Sequence, residues 1–351
     1  MEEREKLFFR KTERFGLLLS LLVILIHAVN LAGSAQELAE LSQSAPPLSP
    51  VSIEQFFSGE LGQTAVPAFF ILSGYLFYRK LQSFSGIFDK WRRRFRSLII
   101  PYGAWNTLLY LLYALIGRAP ISLRALSDAA VNYRYEPVFW YLYQLILLTA
   151  LAPLFFLFLR KRLLSCLFLP LPLFLIFRGI DLPLFNEDAL FYYLLGGALS
   201  RNLPSLFEGG ERGRQRFLAA LLLLFAVVLR ILIRRSSEAG SLPEILLFTV
   251  LFRAALPLSL WFFLPSPGEG GAEHRGLGFF LYAFHYPAAR LYAALIRRLG
   301  ISGDWILLLL FFLFELDKIL FVLYIIGKEA VRLLFNGELH SGGSREMSRF
   351  Y

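Results

Sequence analysis

One cysteine, Cys166, stands among 351 residues. An internal disulfide and a cysteine-based metal cluster are therefore excluded, and the apolar run around Cys166 reads as the setting of a buried core thiol. Charge is scarce too: 18% of residues are charged against 57% hydrophobic, too apolar a balance for a soluble domain of this length. The chain has no glycine-rich phosphate loop of the Walker type and no HExxH pair. Neither nucleotide hydrolysis nor zinc proteolysis has a basis in it, and no metal is expected. The net charge of +10 is spread between apolar runs rather than gathered on one soluble face, so nucleic acid is not an expected partner and membrane topology explains the charge better.

What the chain has in abundance is hydrophobic length. A helix needs about 20 apolar residues to cross a hydrocarbon layer of about 30 Å, and ten such windows recur: Phe15 to Gly33, Thr64 to Tyr78, Leu98 to Ile116, Pro137 to Leu159, Leu163 to Phe177, Phe185 to Arg201, Phe217 to Ile233, Glu244 to Leu264, Leu277 to Leu299 and Trp305 to Gly327. The expected fold is an all-α polytopic membrane bundle of about ten transmembrane helices. Residues 1–335 form one transmembrane domain, and 336–351 a short polar tail. Pro170, Pro172 and Pro183 interrupt the fifth and sixth windows and predict kinked or re-entrant segments there. The first window reads as an uncleaved helix, because its apolar run is longer than a signal core and carries His27 and Asn30.

Orientation follows from the basic residues. Assigning the 36 to alternate sides of the ten windows gives 24 to the N-terminal side and 10 to the other, with Arg253 and Lys318 left unassigned. Both termini are therefore expected in the cytoplasm. The connection from Ser34 to Gln63 holds no basic residue and four glutamates, whereas Arg79 to Arg96 holds seven basic residues. The first is expected outside, as a mobile connector or as a cover over an acceptor's path; the second is expected inside.

Titratable groups within a bilayer are costly and become functional candidates. His27 lies 13 residues after Arg14, roughly 20 Å along a helix, and Ser20, His27 and Asn30 are spaced to share one helical face. A low-dielectric setting disfavours imidazolium and leaves a neutral ring able to accept a proton, as a general base must; packing by hydrogen bonds across helices is the other reading. His285 stands in Leu281-Tyr-Ala-Phe-His-Tyr-Pro287, where proline removes a backbone donor and loosens the helix. It is either a second site histidine or a satisfied ring at a kink.

In Val66-Pro-Ala-Phe-Phe-Ile-Leu-Ser-Gly-Tyr-Leu-Phe-Tyr-Arg79, Ser73 and Gly74 permit close helix approach. Arg79 and Lys80 then open the basic stretch that runs through Arg92, Arg93, Arg94 and Arg96. Such a cluster suits phosphates, topology or anionic lipid alike. Glu315, Asp317 and Lys318 in the last window read as charge pairs within the bundle or as a proton path.

Taken in order, His27, Phe69-Phe-Ile-Leu-Ser-Gly-Tyr75, Arg92-Arg-Arg-Phe-Arg-Ser-Leu-Ile-Ile-Pro101, Phe139-Trp-Tyr-Leu-Tyr143 and Tyr282-Ala-Phe-His-Tyr-Pro287 resemble the membrane acyltransferase-3 family over most of the chain. The resemblance implies an O-acyltransferase of the cell membrane, multi-pass and in the first instance of a bacterial plasma membrane. It would take a cytoplasmic acyl-CoA, often acetyl-CoA, and acylate a glycan or lipid of the cell envelope, with His27 in catalysis and His285 beside it. Arg79, Lys80, Arg93, Arg96 and Ser73 would contact the donor, and Asn30 and Trp140 would support the site. An acid and an arginine are expected fourteen and eleven residues before the histidine, where this chain has Glu13 and Gly16, with Arg14 two residues away. Export of a saccharide or lipid is the competing function; it needs neither a base nor a donor site.

Overall fold

The structure, a computed structural model, describes residues 2–209, 212–264 and 277–313. Among them every regular element is helical: α1 (Glu2–His27), α2 (Ala35–Ser44), α3 (Pro50–Gln55), α4 (Ala65–Tyr78), α5 (Ser85–Arg94), α6 (Ile100–Leu115), α7 (Leu123–Val131), α8 (Trp140–Ala150), α9 (Ala152–Leu159), α10 (Arg162–Phe168), α11 (Pro170–Arg178), α12 (Glu187–Asn202), α13 (Pro204–Glu208), α14 (Arg212–Glu238), α15 (Leu242–Phe263), α16 (Leu277–Arg298) and α17 (Asp304–Leu313). The chain divides into two compact units, one of Met1–Leu19 with Thr64–Glu273, the other of Ser20–Gln63 with His274–Tyr351.

Among the described residues, four helical runs are long and apolar enough to cross a membrane: Pro50–Tyr78, Ser85–Leu115, Arg212–Glu238 and Leu242–Phe263. A fifth results if Pro137–Ala150 and Ala152–Leu159, bent by 64°, count as one broken span. The bend has a local cause, since Pro153 in the first turn of α9 cannot donate a backbone hydrogen bond. The fifth expected window is likewise two short helices, α10 and α11, parted before Pro170. The sixth is the 16-residue α12, and the last is described only as far as Leu313, so Glu315, Asp317 and Lys318 lie outside the described residues.

In the first unit, α4 crosses α12 at a distance that only glycine permits. A Cβ on Gly74 would lie 2.0 Å from the Tyr193 carbonyl oxygen, and one on Gly196 would lie 1.9 Å from that of Ile71. Small residues thus let two backbones meet and bury Phe70, Phe77, Tyr78, Tyr192 and Tyr193 beside the crossing. A second pair, α14 with α15, closes around Ala226, Leu229 and Ala255, and the Ser259 hydroxyl donates to the Ala219 carbonyl at 2.8 Å. Cys166 is exposed on α10, beside the equally exposed Leu163 and Leu167. The expected buried thiol is corrected, because a short helix with so many exposed apolar side chains has little interior to place it in.

The second unit is built on the end of α1. Leu25, Ala28 and Leu31 pack with Leu308 and Phe311 of α17 and with Ile53 and Phe57. Gly62 allows the turn before α4 to approach α1, where a Cβ would stand 2.9 Å from Ile26 and 3.1 Å from the Leu22 carbonyl. The acidic connection from Ser34 to Gln63 is helical over most of its length: α2 and α3 are capped by Ser34 and Ser49, and a π-helical turn follows at Phe56–Leu61. It is an ordered part of this unit, which corrects the expectation of a loose connector.

Candidate functional site

α1 ends at His27 for a reason that lies in α3. The backbone N–H groups of Asn30 and Leu31 donate to one carboxylate oxygen of Glu54, at 2.8 and 3.2 Å, so the chain turns away from helical bonding there. Glu54 is fully buried, and its Oε2 has no hydrogen-bond partner among the described residues. The Asn30 side chain donates to the Leu307 carbonyl at 3.3 Å. Asn30 is therefore not on a helical face with Ser20 and His27; the expected stripe stops at the histidine because a carboxylate claims the donors of the next turn.

The two histidines meet. The ring of His27 lies 5.1 Å from that of His285, centroid to centroid, and 5.3 Å from Tyr286, which it meets edge to face. α16 continues through Pro287, so the proline does not end the helix. His285 is fully buried, and its Nδ1 faces two carbonyl oxygens of its own helix, those of Tyr282 at 2.7 Å and Leu281 at 3.2 Å. Both partners are acceptors, so Nδ1 carries the hydrogen and Nε2 presents a lone pair. That Nε2 is buried with no partner. The helix itself thus chooses the tautomer of a ring whose free nitrogen can take a proton from an adjacent hydroxyl. Among the described residues, no group of three or more His, Cys, Asp or Glu side chains is placed to hold a metal.

The other residues singled out in the sequence belong to the first unit. Arg79 is buried beneath a double hydrogen bond to Glu208, 2.8 Å from Nε and 2.8 Å from Nη2, while Nη1 donates to Glu5 at 3.0 Å. Its guanidinium lies over Phe8 and Phe9, at 4.7 and 5.2 Å from the ring centres. Burial opposes its charge, but bonds to the two carboxylates outweigh that and raise its pKa. Lys80 reaches the same Glu5 at 2.8 Å from solvent, and the hydrogen bonds from Lys80 and Arg79 hold the Glu5 carboxyl below its usual range.

Further along, Arg93 Nε donates to the Asp89 carbonyl at 3.3 Å, and Arg96 is exposed in the turn between α5 and α6. Ser73 Oγ stands 3.3 Å from the Tyr141 hydroxyl, and Trp140 lies 6.1 Å from Phe70. On the early part of α1, Glu13 is half-buried and Arg14 exposed.

His27, His285 and Asn30 thus gather in one unit around the end of α1, and Arg79 with Lys80 gather on Glu5 in the other. Sequence reading missed Glu54, Tyr286 and Glu208. Glu54 left a usable trace, as an acid three residues before the apolar Phe57, just ahead of a hydrophobic run. The pairing of Glu208 with Arg79, 129 residues apart, left none. A family model described as an acyltransferase domain matches residues 17–314. No curated protein and no solved structure matches the chain.

Proposed function

We propose, from the premise that the chain belongs to the membrane acyltransferase-3 family, that it transfers an acyl group from cytoplasmic acyl-CoA to a hydroxyl of an extracytoplasmic carbohydrate or lipid. Acetyl-CoA is the simplest donor. One observation carries the reading: His27 and His285 are paired at 5.1 Å, and the latter's Nδ1 is committed to its own helix. An imidazole locked as the Nδ1–H tautomer keeps its basic nitrogen aimed and pays no reorientation cost during the reaction.

The His285 Nε2, directly or through the His27 ring, accepts the acceptor hydroxyl's proton as that oxygen attacks the thioester carbonyl carbon. The new C–O bond forms, the C–S bond breaks, and the departing thiolate takes the proton from the imidazolium. Ester and free thiol leave, and the neutral ring is restored. Arg79, Lys80, Arg93 and Arg96, with Ser73, would hold the donor's phosphates. For Arg79 this means exchanging the Glu5 contact at Nη1 for phosphate, because Glu208 holds Nε and Nη2.

The test is thioester turnover by the purified protein with acetyl-CoA. His27→Ala lowers turnover about a hundredfold or more, the ordinary contribution of a positioned base. His285→Asn does the same with the fold kept, since the amide replaces the Nδ1 donor and removes Nε2. Turnover at the wild-type rate in both variants would assign the chemistry elsewhere. Movement of an unmodified lipid or saccharide without thioester consumption would favour export.

A further inference from the structure

The connection from α6 to α8 carries a site that the acyl-transfer chemistry does not use. Between Arg118 and Tyr135 lies a polar cavity of about 610 Å³, lined by Arg118, Arg124, Arg134, Ser122, Ser127 and Asn132. That volume is in the range of small-ligand sites. Asp128 accepts from Arg134 at 3.2 Å and from Asn132 at 2.6 Å, so the only acid on the cavity wall is already engaged. The Arg118 and Arg124 guanidinium groups have no hydrogen-bond or ion-pair partner among the described residues and keep ten N–H donors between them.

The cavity is held in shape. The buried Tyr110 hydroxyl accepts from the Ser122 N–H at 3.0 Å and bonds the Pro120 carbonyl at 3.1 Å. The Tyr102 hydroxyl donates to the Ala130 carbonyl, and Tyr135 packs on Tyr113 at 4.8 Å. Gly117, with φ of +71°, makes the reversal after α6 that brings Arg118 back towards α7.

Its surroundings are apolar and open. Leu115, Ile121 and Leu123 are 82, 88 and 85% exposed, which suits contact with acyl chains and would be costly in water. The cavity stands just beyond the end of the apolar run Ser85–Leu115, whose other end bears Arg92, Arg93 and Arg94. Arg134 is paired with Asp128, but two further arginines with no acid beside them run against the depletion of basic residues expected on the outer side of a membrane protein, and they call for a ligand.

The geometry points to a binding site for the phosphate headgroup of a membrane-embedded lipid: Arg118 and Arg124 take the phosphate oxygens, Ser122, Ser127 and Asn132 take neutral hydroxyls next to it, and Leu115, Ile121 and Leu123 face the chain. Use of the bound phospholipid as the acyl acceptor is the role inferred for it. That role rests on the acyl-transfer reading, whereas the binding does not.

The test is equilibrium binding of fluorescent dodecyl phosphate to the full-length protein in a non-ionic detergent, with dodecanol and inorganic phosphate as competitors. Dodecyl phosphate binds, dodecanol competes at least tenfold less well, and Arg118→Gln and Arg124→Gln each weaken binding about tenfold, as expected for one lost charge-assisted hydrogen bond. His27→Ala binds as the wild type does, so loss of catalysis and loss of this site are read separately. Unchanged binding in both arginine variants, or equal competition by dodecanol, overturns the site. Equal competition by inorganic phosphate overturns its assignment to lipid. Thermal unfolding midpoints of Arg118→Gln and Arg124→Gln equal to the wild type's show that a weakened variant has lost a contact and not the fold, and Arg118→Lys, which keeps the charge, regains part of the binding.

Discussion

At the scale of single residues, burial decides which titratable groups matter. Glu136 is 1% exposed before the first turn leading into α8, and one of its carboxylate oxygens has no partner. Burial pushes its carboxyl from 4.5 up to about 8. A raised folded-state value means that the folded protein holds the proton longer than the unfolded chain, so stability declines as pH rises from 4.5 towards 8 and levels off above it. Glu136→Gln removes that decline: the variant gains on the order of a few kcal/mol over the wild type above pH 8 and nothing below pH 4.5. Thermal unfolding at pH 4 and pH 8.5 reads the difference; equal gaps at the two values contradict it. Sequence pattern exposed the histidines because a titratable ring in an apolar run is conspicuous. It could not expose the tautomer of His285, which depends on where two carbonyls of its own helix point.

At the scale of elements, glycine placement sets the packing. The α4–α12 crossing presses Gly74 against the Tyr193 carbonyl and Gly196 against that of Ile71, and backbone cannot yield as a flexible side chain can. Gly74→Ala therefore costs about 3 kcal/mol. Gly103→Ala, where a Cβ meets nothing within 4 Å, is neutral or slightly stabilising. Thermal stability of the two variants checks the contrast, and equal stability would mean that the crossing is loose. The small pair Ser73-Gly74 was legible as a close-approach signal. Its partner on α12 was not, because two helices 120 residues apart declare no register to each other. Helix ends were the weakest part of the reading. α1 stops at His27 instead of running on to Gly33, since Glu54, a residue from another element, takes the N–H groups that the next turn would have used.

At the scale of the whole molecule, the topology expected from the charge bias, with both ends of the chain in the cytoplasm, is open to a direct test. With Cys166 replaced by serine, a cysteine at Glu40 reacts with an impermeant maleimide in intact cells, and one at Ser83 reacts only after lysis; both positions are exposed. The reverse pattern inverts the topology, and with it the sides proposed for donor and acceptor. Recurring apolar runs of about 20 residues determined that the chain is helical and made for a bilayer, because a run of that length inside lipid satisfies its own backbone hydrogen bonds only as a helix. Motif order determined its family, since that is written along one dimension. Tertiary structure alone decided that His27 faces His285, that Arg79 is held between two carboxylates, and that Glu54 ends the first helix. Each joins residues between 24 and 258 positions apart, or nearly adjacent only after folding, and local periodicity carries no information about which distant side chain will arrive to meet a buried polar atom.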